Sequence, residues 1–352
     1  MSATRVGPGS GPSGVPAAIA LSPVLWSRFR PEDLARIREV APGSRLALVA
    51  GDGMVDGPLD DVEVLLRGTA MTNDAFERVL ARAPRLAWIH SASVGVERVL
   101  TPGVRSRGIL VTNGRGVFSR PIAEYVLLMV LAVTRRLPAL LDLQRERTWQ
   151  PLQGEELRDR TIGLVGFGSI GRAVASYAAA FGARVVAVRR NASRGSGAPP
   201  DVDEEPLPLE PRVDLVLPMD RLAELLAESD IVVLALPLTP ATESVIDERA
   251  IAAMRPGAWL VNIARGRLVD EGALLRALRD GSIGGAVLDA FREEPLPASS
   301  PFYGLPNVIL TPHTSWSTAR VQGRSVEVFA RNLERYVRGE PLHNVVDPDA
   351  GY

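Results

Sequence analysis

The chain has no cysteine and no lysine; its 40 basic residues, in a total of 352, are all arginine. Without cysteine there is no disulfide, thiol nucleophile or thiolate-held metal. Without lysine there is no Schiff-base chemistry, which needs an amine, and no phosphate loop of the lysine-dependent kind. Neither sign of charge dominates. The formal net charge of −1 argues against a dedicated nucleic-acid or anionic-membrane binder, which carries a basic excess. No apolar run approaches the roughly 20 residues that span a bilayer. The first 18 residues, MSATRVGPGSGPSGVPAA, hold no apolar core of the signal-peptide kind and read as a disordered tail. These absences set the expectation of a cytoplasmic protein with no metal, no nucleic-acid partner and no membrane partner. Histidine is scarce too, at three, so His90, His313 and His343 can each be weighed.

What is present is alternation. A chain of this length suggests two domains. The apolar runs AIALS, RLALVA, VEVLLRG, LAWIHSAS and GILVTN are separated by helical patterns such as PEDLARIREVA and NDAFERVLARAP. That order predicts a parallel α/β sheet. A long apolar helix follows, PIAEYVLLMVLAVTRRLPALLDLQRE, with Pro121 in a first-turn position. From Thr161 a second series begins, TIGLVG, ARVVAVR, DIVVLAL, AWLVNIA, GAVLDA and VILTPH, spaced as in a six-stranded doubly wound sheet. Residues 191–218, rich in Pro, Gly and acid, read as an extended surface loop. The last amphipathic helix, roughly 318–338, is long enough to return to the first domain. The expected fold class is α/β, with two doubly wound parallel-sheet domains, 19–112 plus 318–352 and 113–317, the second a Rossmann dinucleotide-binding domain.

Gly166, Gly168 and Gly171 form G-x-G-x-x-G between an apolar strand and the helix RAVASYAAAFG. The first glycine permits the tight turn, the second lets backbone N–H groups approach a pyrophosphate, and the third packs helix on strand. Ser169 and Ile170 lie inside this turn. Eighteen residues after Gly171 stands Arg189, followed by Arg190, at the end of GARVVAVRRN. An acidic residue there would hold the adenosine ribose of NAD. An arginine instead offers a forked, charged contact to a 2′-phosphate; two solvated arginines at a strand end are the alternative. NADP is the expected cofactor, with NAD possible.

Three further stretches, NIARGRLVDEGAL, GAVLDAFREEP and LTPHTSW, follow the dinucleotide turn, accompanied by LPLTPAT and PIAEYVLLMVLA. In this order they resemble the D-isomer-specific 2-hydroxyacid dehydrogenase family, over nearly the whole chain from about residue 20. The resemblance implies reduction of a 2-oxo acid to the D-2-hydroxy acid in an interdomain cleft. It places the family's arginine, acid and histidine on Arg265, Glu294 and His313. Glu293 competes with Glu294, and the position before Pro295 favours Glu294. These residue types suit carbonyl reduction. A protonated imidazole supplies the proton that the carbonyl oxygen needs, contributing roughly 10²–10⁴-fold. A carboxylate beside the ring favours its charged form and decides which nitrogen faces the substrate. Arg265 matches the substrate carboxylate fork to fork and polarises the carbonyl.

The resemblance further implies cofactor contacts from Pro237, Ile263, Ala264, Asp289, His313 and Trp316, with Asp289 near the nicotinamide carboxamide. It implies substrate contacts from Arg67 and from backbone N–H groups around Ser93, Val94 and Gly95, acting as an anion nest. The loop GRGVFSRP departs from the family's commoner small-residue version before the helix, so Phe118, Arg120 and Trp316 either shape an unusual pocket or pack the domain seam. His90 and His343 read as structural. The helix after Pro121 resembles the family's dimer-forming element, so a homodimer is expected. Two other readings use the same scaffold: a dinucleotide-sensing corepressor, and an enzyme that oxidises another small anion such as formate or phosphite.

Overall fold

Parallel strands dominate the chain because their sequences are unbroken apolar runs, which settle only where helices cover both faces of a sheet. The computed structural model describes residues 14–24, 29–190, 207 and 209–351. Residues 1–13 of the expected tail, and 191–206 and 208 of the expected loop, lie outside the described residues. The chain divides into two units, crossing at Val117/Phe118 and returning at Thr318/Ala319. Sequence had placed these boundaries at 112/113 and 317/318. The stretch after the fifth strand stays with the first unit because Gly114 N–H donates to Ser93 O (3.1 Å) and the Asn113 amide to Val94 O (2.9 Å).

In the first unit, strands β1 (Ala18–Leu21), β2 (Arg45–Leu48), β3 (Val62–Arg67), β4 (Trp88–Ser91) and β5 (Leu110–Asn113) form a parallel sheet ordered β2-β1-β3-β4-β5. Helices α1 (Pro31–Val40), α2 (Asn73–Arg82) and α3 (Pro102–Ser106) connect them. Helix α2 starts where the Thr72 side chain accepts from Ala75 N–H, and it buries Ala75, Phe76, Val79 and Leu80 at helical spacing. The final helix of the chain, Val321–Val337, lays Phe329 and Tyr336 in stacked geometry on Trp88, with centroids 5.4 and 5.5 Å away.

Behind this stack His90 is fully buried. Trp88 Nε1 donates to Thr112 Oγ1 (2.9 Å), and His90 Nδ1 shares a hydrogen bond with the same hydroxyl (2.8 Å). Full burial keeps the His90 ring neutral, in a structural role. Burial pushes its pKa down to about 3 from 6.5. The unfolded chain therefore takes up the proton first, and stability falls as the pH drops below about 6.5 and continues to fall towards 3. Linkage gives a loss of about 2 kcal/mol at pH 5 relative to pH 7 from this group. Urea midpoints at the two pH values should show a correspondingly weaker pH dependence in His90→Gln; an unchanged dependence would refute the assignment.

The second unit opens with α4 (Ser119–Thr134) and α5 (Leu137–Arg145). Sequence predicted one helix here. Pro138 in the first turn of α5 cannot continue the preceding turns, and Arg136 breaks the path at a left-handed φ of 54°. The second sheet contains β6 (Thr161–Val165), β7 (Arg184–Arg189), β8 (Leu215–Pro218), β9 (Ile231–Leu234), β10 (Trp259–Asn262), β11 (Gly285–Leu288) and β12 (Val308–Leu310). Helices α6 (Ser169–Ala180), α7 (Leu222–Glu228), α8 (Glu248–Ala252) and α9 (Glu271–Asp280) lie between them. The parallel order is β12-β11-β10-β9-β6-β7-β8. The sheet has seven strands where six were predicted. The additional one, β8, falls in the segment read as loop; it is short, ends in Pro218 and occupies the edge, where a residue without N–H is tolerated.

Candidate functional site

Chain order reverses between β6 and β9, and at such a switch point the C-terminal strand ends leave a crevice for ligands. Gly166 follows β6 at a φ of 103°, and a Cβ there would stand 2.5 Å from Ala235 O. Only glycine fits both the angle and the approach. Gly168 is the N-cap of α6, with no side-chain cap, and a Cβ there would meet nothing within 4 Å. A Cβ on Gly171 would stand 2.5 Å from Gly166 O, so the helix packs directly on the turn. The uncapped N–H groups of α6 and the open space over Gly168 fit a pyrophosphate. Ser169 and Ile170 form the first turn of α6.

Arg189 is the last residue of β7 and half-buried; Arg190 follows, exposed. Pro237 begins a turn after β9, its carbonyl accepting from Thr242 Oγ1 (2.8 Å). Ile263 and Ala264 are buried beyond β10. Their turn is shaped by Asn262, whose carbonyl oxygen accepts from Ala264 N–H (3.0 Å) while its amide donates to Arg265 O (2.9 Å). Sequence reading missed Asn262; its place between an apolar strand and the Ala-Arg-Gly turn was the available signal.

The next residue brings two loops together. A Cβ on Gly266 would lie 1.9 Å from the carbonyl carbon of Phe291, so the backbone after Arg265 rests directly on the segment leading to Glu294. Glu294 Oε1 accepts from Phe291 N–H (3.0 Å), which turns the carboxylate back towards His313. His313 Nδ1 donates to Glu294 Oε2 at 2.9 Å and lies 3.1 Å from Oε1. Glu294, not Glu293, is thus the histidine's partner. With Nδ1 so engaged, Nε2 is the nitrogen left to exchange a proton. Burial pushes the Glu294 carboxyl up, but the hydrogen bonds from His313 and Phe291 and the charges of His313 and Arg265 outweigh it and hold the group below the ordinary carboxylate range. It is an anion at neutral pH and can compensate an imidazolium.

Asp289, expected near the nicotinamide carboxamide, makes its hydrogen bonds here within the chain. It is fully buried, and its carboxylate accepts from Thr311 Oγ1, Thr314 N–H and Ser315 N–H. Its visible work is to hold the loop that carries His313. Trp316 meets Phe118 edge to face, with centroids 6.1 Å apart, so these two aromatics pack on each other within this unit. Arg120 lies in the first turn of α4.

In the first unit, Arg67 ends β3 and is only 3% exposed. Its Nη2 donates to Met71 O (3.3 Å) and its guanidinium lies 4.9 Å from the Phe76 ring centre. Burial, aided by the charge of Arg98, lowers its pKa to about 10. The resemblance implied a substrate contact from Arg67; its side chain here is packed within the first unit. Ser93, Val94 and Gly95 form a half-buried loop after β4, with Ser93 Oγ donating to Gly95 O (3.0 Å). Among the described residues no cluster of His, Asp or Glu could hold a metal, and no helix is long and apolar enough to cross a membrane.

A family profile described as D-isomer specific 2-hydroxyacid dehydrogenase, NAD binding domain, matches residues 127–315. The chain belongs to this family. Among its curated 2-hydroxyacid dehydrogenase relatives, a glyoxylate reductase of Thermococcus gammatolerans is 38% identical over 298 residues, covering 82% of this chain and 84% of that protein. A D-3-phosphoglycerate dehydrogenase of Mycobacterium tuberculosis is 36% identical over 327 residues. The match covers 89% of this chain but 58% of that relative, so the chain spans little more than half its length. Among solved structures, a D-isomer specific 2-hydroxyacid dehydrogenase from Xanthobacter autotrophicus Py2, in complex with NADPH and MES, has a TM-score of 0.79 at 29% identity. It covers 97% of this chain and 100% of its own.

Proposed function

We propose that this 2-hydroxyacid dehydrogenase is an NADPH-preferring reductase that converts a small 2-oxo acid to the D-2-hydroxy acid. The observation that carries the reading is the Glu294–His313 pair, seated with Arg265 beyond the strand ends that also present the Gly166–Gly171 turn. A bound nicotinamide dinucleotide supplies the hydride. Arg265 holds the substrate carboxylate and draws charge from the carbonyl. His313 Nε2–H gives a proton to the carbonyl oxygen as negative charge develops there. Glu294 holds the ring by Nδ1 and stabilises its charged form until the proton has left. Arg189, with Arg190 beside it, meets the 2′-phosphate.

The cofactor choice is supported by the arginine at the end of β7 and by the NADPH bound in the Xanthobacter relative. A homodimer is part of the reading. Leu128 on α4 and Leu137, Leu140 and Leu141 on α5 are exposed, as is Trp149 beyond them. That is more large apolar surface in one region than a solvated helix pair needs. Light scattering should return twice the chain mass; a monomer would contradict it.

A panel of 2-oxo acids assayed with NADPH and with NADH tests class, cofactor and substrate size together. The expected result is turnover of at least one 2-oxo acid, faster with NADPH. Tight dinucleotide binding with no turnover across the panel would favour a regulatory protein instead.

A further inference from the structure

His313 carries a backbone φ of 53°, a left-handed conformation that non-glycine residues rarely adopt. Such a conformation persists only where its surroundings hold it. The hold is Asp289. Its Oδ1 accepts from Thr314 N–H (2.8 Å) and its Oδ2 from Ser315 N–H (2.9 Å), the two residues immediately after His313. The third bond comes from Thr311 Oγ1 (2.6 Å), two residues before it. One buried carboxylate thus grips the loop on both sides of the histidine, and three neutral donors carry its charge.

The grip extends to a residue outside this loop. Tyr125 on α4 lies 2.6 Å from Thr311 Oγ1. The single Thr311 hydroxyl proton is already given to Asp289, so the tyrosine must be the donor. Burial pushes the Tyr125 phenol up to about 12, opposed by the Thr311 bond and reinforced by the charge of Asp289, so it keeps its proton throughout the working range. The chain of bonds therefore runs one way, Tyr125 O–H to Thr311 O–H to the Asp289 carboxylate.

The geometry points to Tyr125 as a positioning residue for the reduction. Through Thr311 it fixes the Asp289 carboxylate in the orientation that holds Thr314 and Ser315 and keeps the His313 ring on Glu294. It touches neither substrate nor cofactor on this assignment. The inference rests on His313 being the proton donor and adds to the machinery a side chain supplied by α4.

Tyr125→Phe removes one hydroxyl from the full chain and leaves its ring. The expected result is a fall in kcat of about 3- to 10-fold, the range of a lost neutral hydrogen bond, with KM for the 2-oxo acid and the Kd for NADPH unchanged. Thr311→Ser keeps both bonds and should retain wild-type kcat. Thr311→Val loses both and should fall at least as far as Tyr125→Phe. Adding Tyr125→Phe to Thr311→Val should then cost nothing more, since the two act through one chain of bonds. An independent readout needs no cofactor: with three histidines in the chain, the ¹⁵N signals of His313 can be assigned by their loss in His313→Ala. The Nδ1 signal should move in Tyr125→Phe and stay in place in Thr311→Ser. An active wild type with unaltered kcat and His313 signal in Tyr125→Phe overturns the positioning role alone. So does a Thr311→Ser variant as impaired as Thr311→Val. A wild type inert towards the whole 2-oxo-acid panel overturns the underlying reading and this inference together.

Discussion

His313→Ala is expected to lower kcat for 2-oxo-acid reduction by roughly 10²–10⁴-fold, the contribution of one placed general acid, while NADPH still binds. The two effects separate because different parts of the chain produce them. On the proposed reading the pyrophosphate meets the uncapped start of α6, whose shape depends on Gly166, Gly168 and Gly171 and on no histidine. The proton depends on the ring held by Glu294. Steady-state kinetics and a fluorescence titration with NADPH check the two halves. Glu294→Gln should fall between wild type and His313→Ala, since the amide oxygen can still accept from Nδ1 but carries no charge to balance an imidazolium. Near-normal turnover in His313→Ala would remove the histidine from the chemistry.

Arg189→Asp should reverse the cofactor preference. A hydrogen bond to a charged group contributes about 1.5–3 kcal/mol, so its loss weakens NADPH by about 10- to 150-fold. The new carboxylate adds repulsion towards a 2′-phosphate and offers the ribose hydroxyls of NADH an acceptor. NADH should therefore bind no worse than before, and the ratio of the two kcat/KM values should invert. Arg190→Ala should have the smaller effect, because Arg189 closes the strand at the eighteenth position after Gly171. Equal losses for both cofactors in Arg189→Asp would end the phosphate assignment.

Much of this was readable in the linear order of residues, and the exceptions share a physical cause. Buried parallel strands announce themselves as apolar runs, which is why eleven of the twelve described strands coincide with runs such as VEVLLRG and AWLVNIA. The exception, β8, is four residues long and follows an acid- and proline-rich stretch, so local composition hides it. The break between α4 and α5 was written in Pro138, but the continuous apolar content outweighed it in the reading. Glu294 could be chosen over Glu293 from its place before Pro295. Tyr125 and Thr311 could not be chosen, because their importance lies in bonds that only the fold creates. Arg67 was named as a substrate contact by resemblance alone; its packing against Met71 and Phe76 is a property of the fold that no sequence pattern displays.

The position of β7 in its sheet has a consequence for how the chain can be altered. It lies next to the edge strand β8, and its final residue, Arg189, is half-buried and in register with Pro218 at the end of β8. His313, by contrast, is tied through Asp289, Thr311 and Tyr125 to the interior and to α4. On the proposed roles, cofactor choice rests on one strand-end residue and proton transfer on a linked set of side chains, so either can be altered by substitution without touching the other.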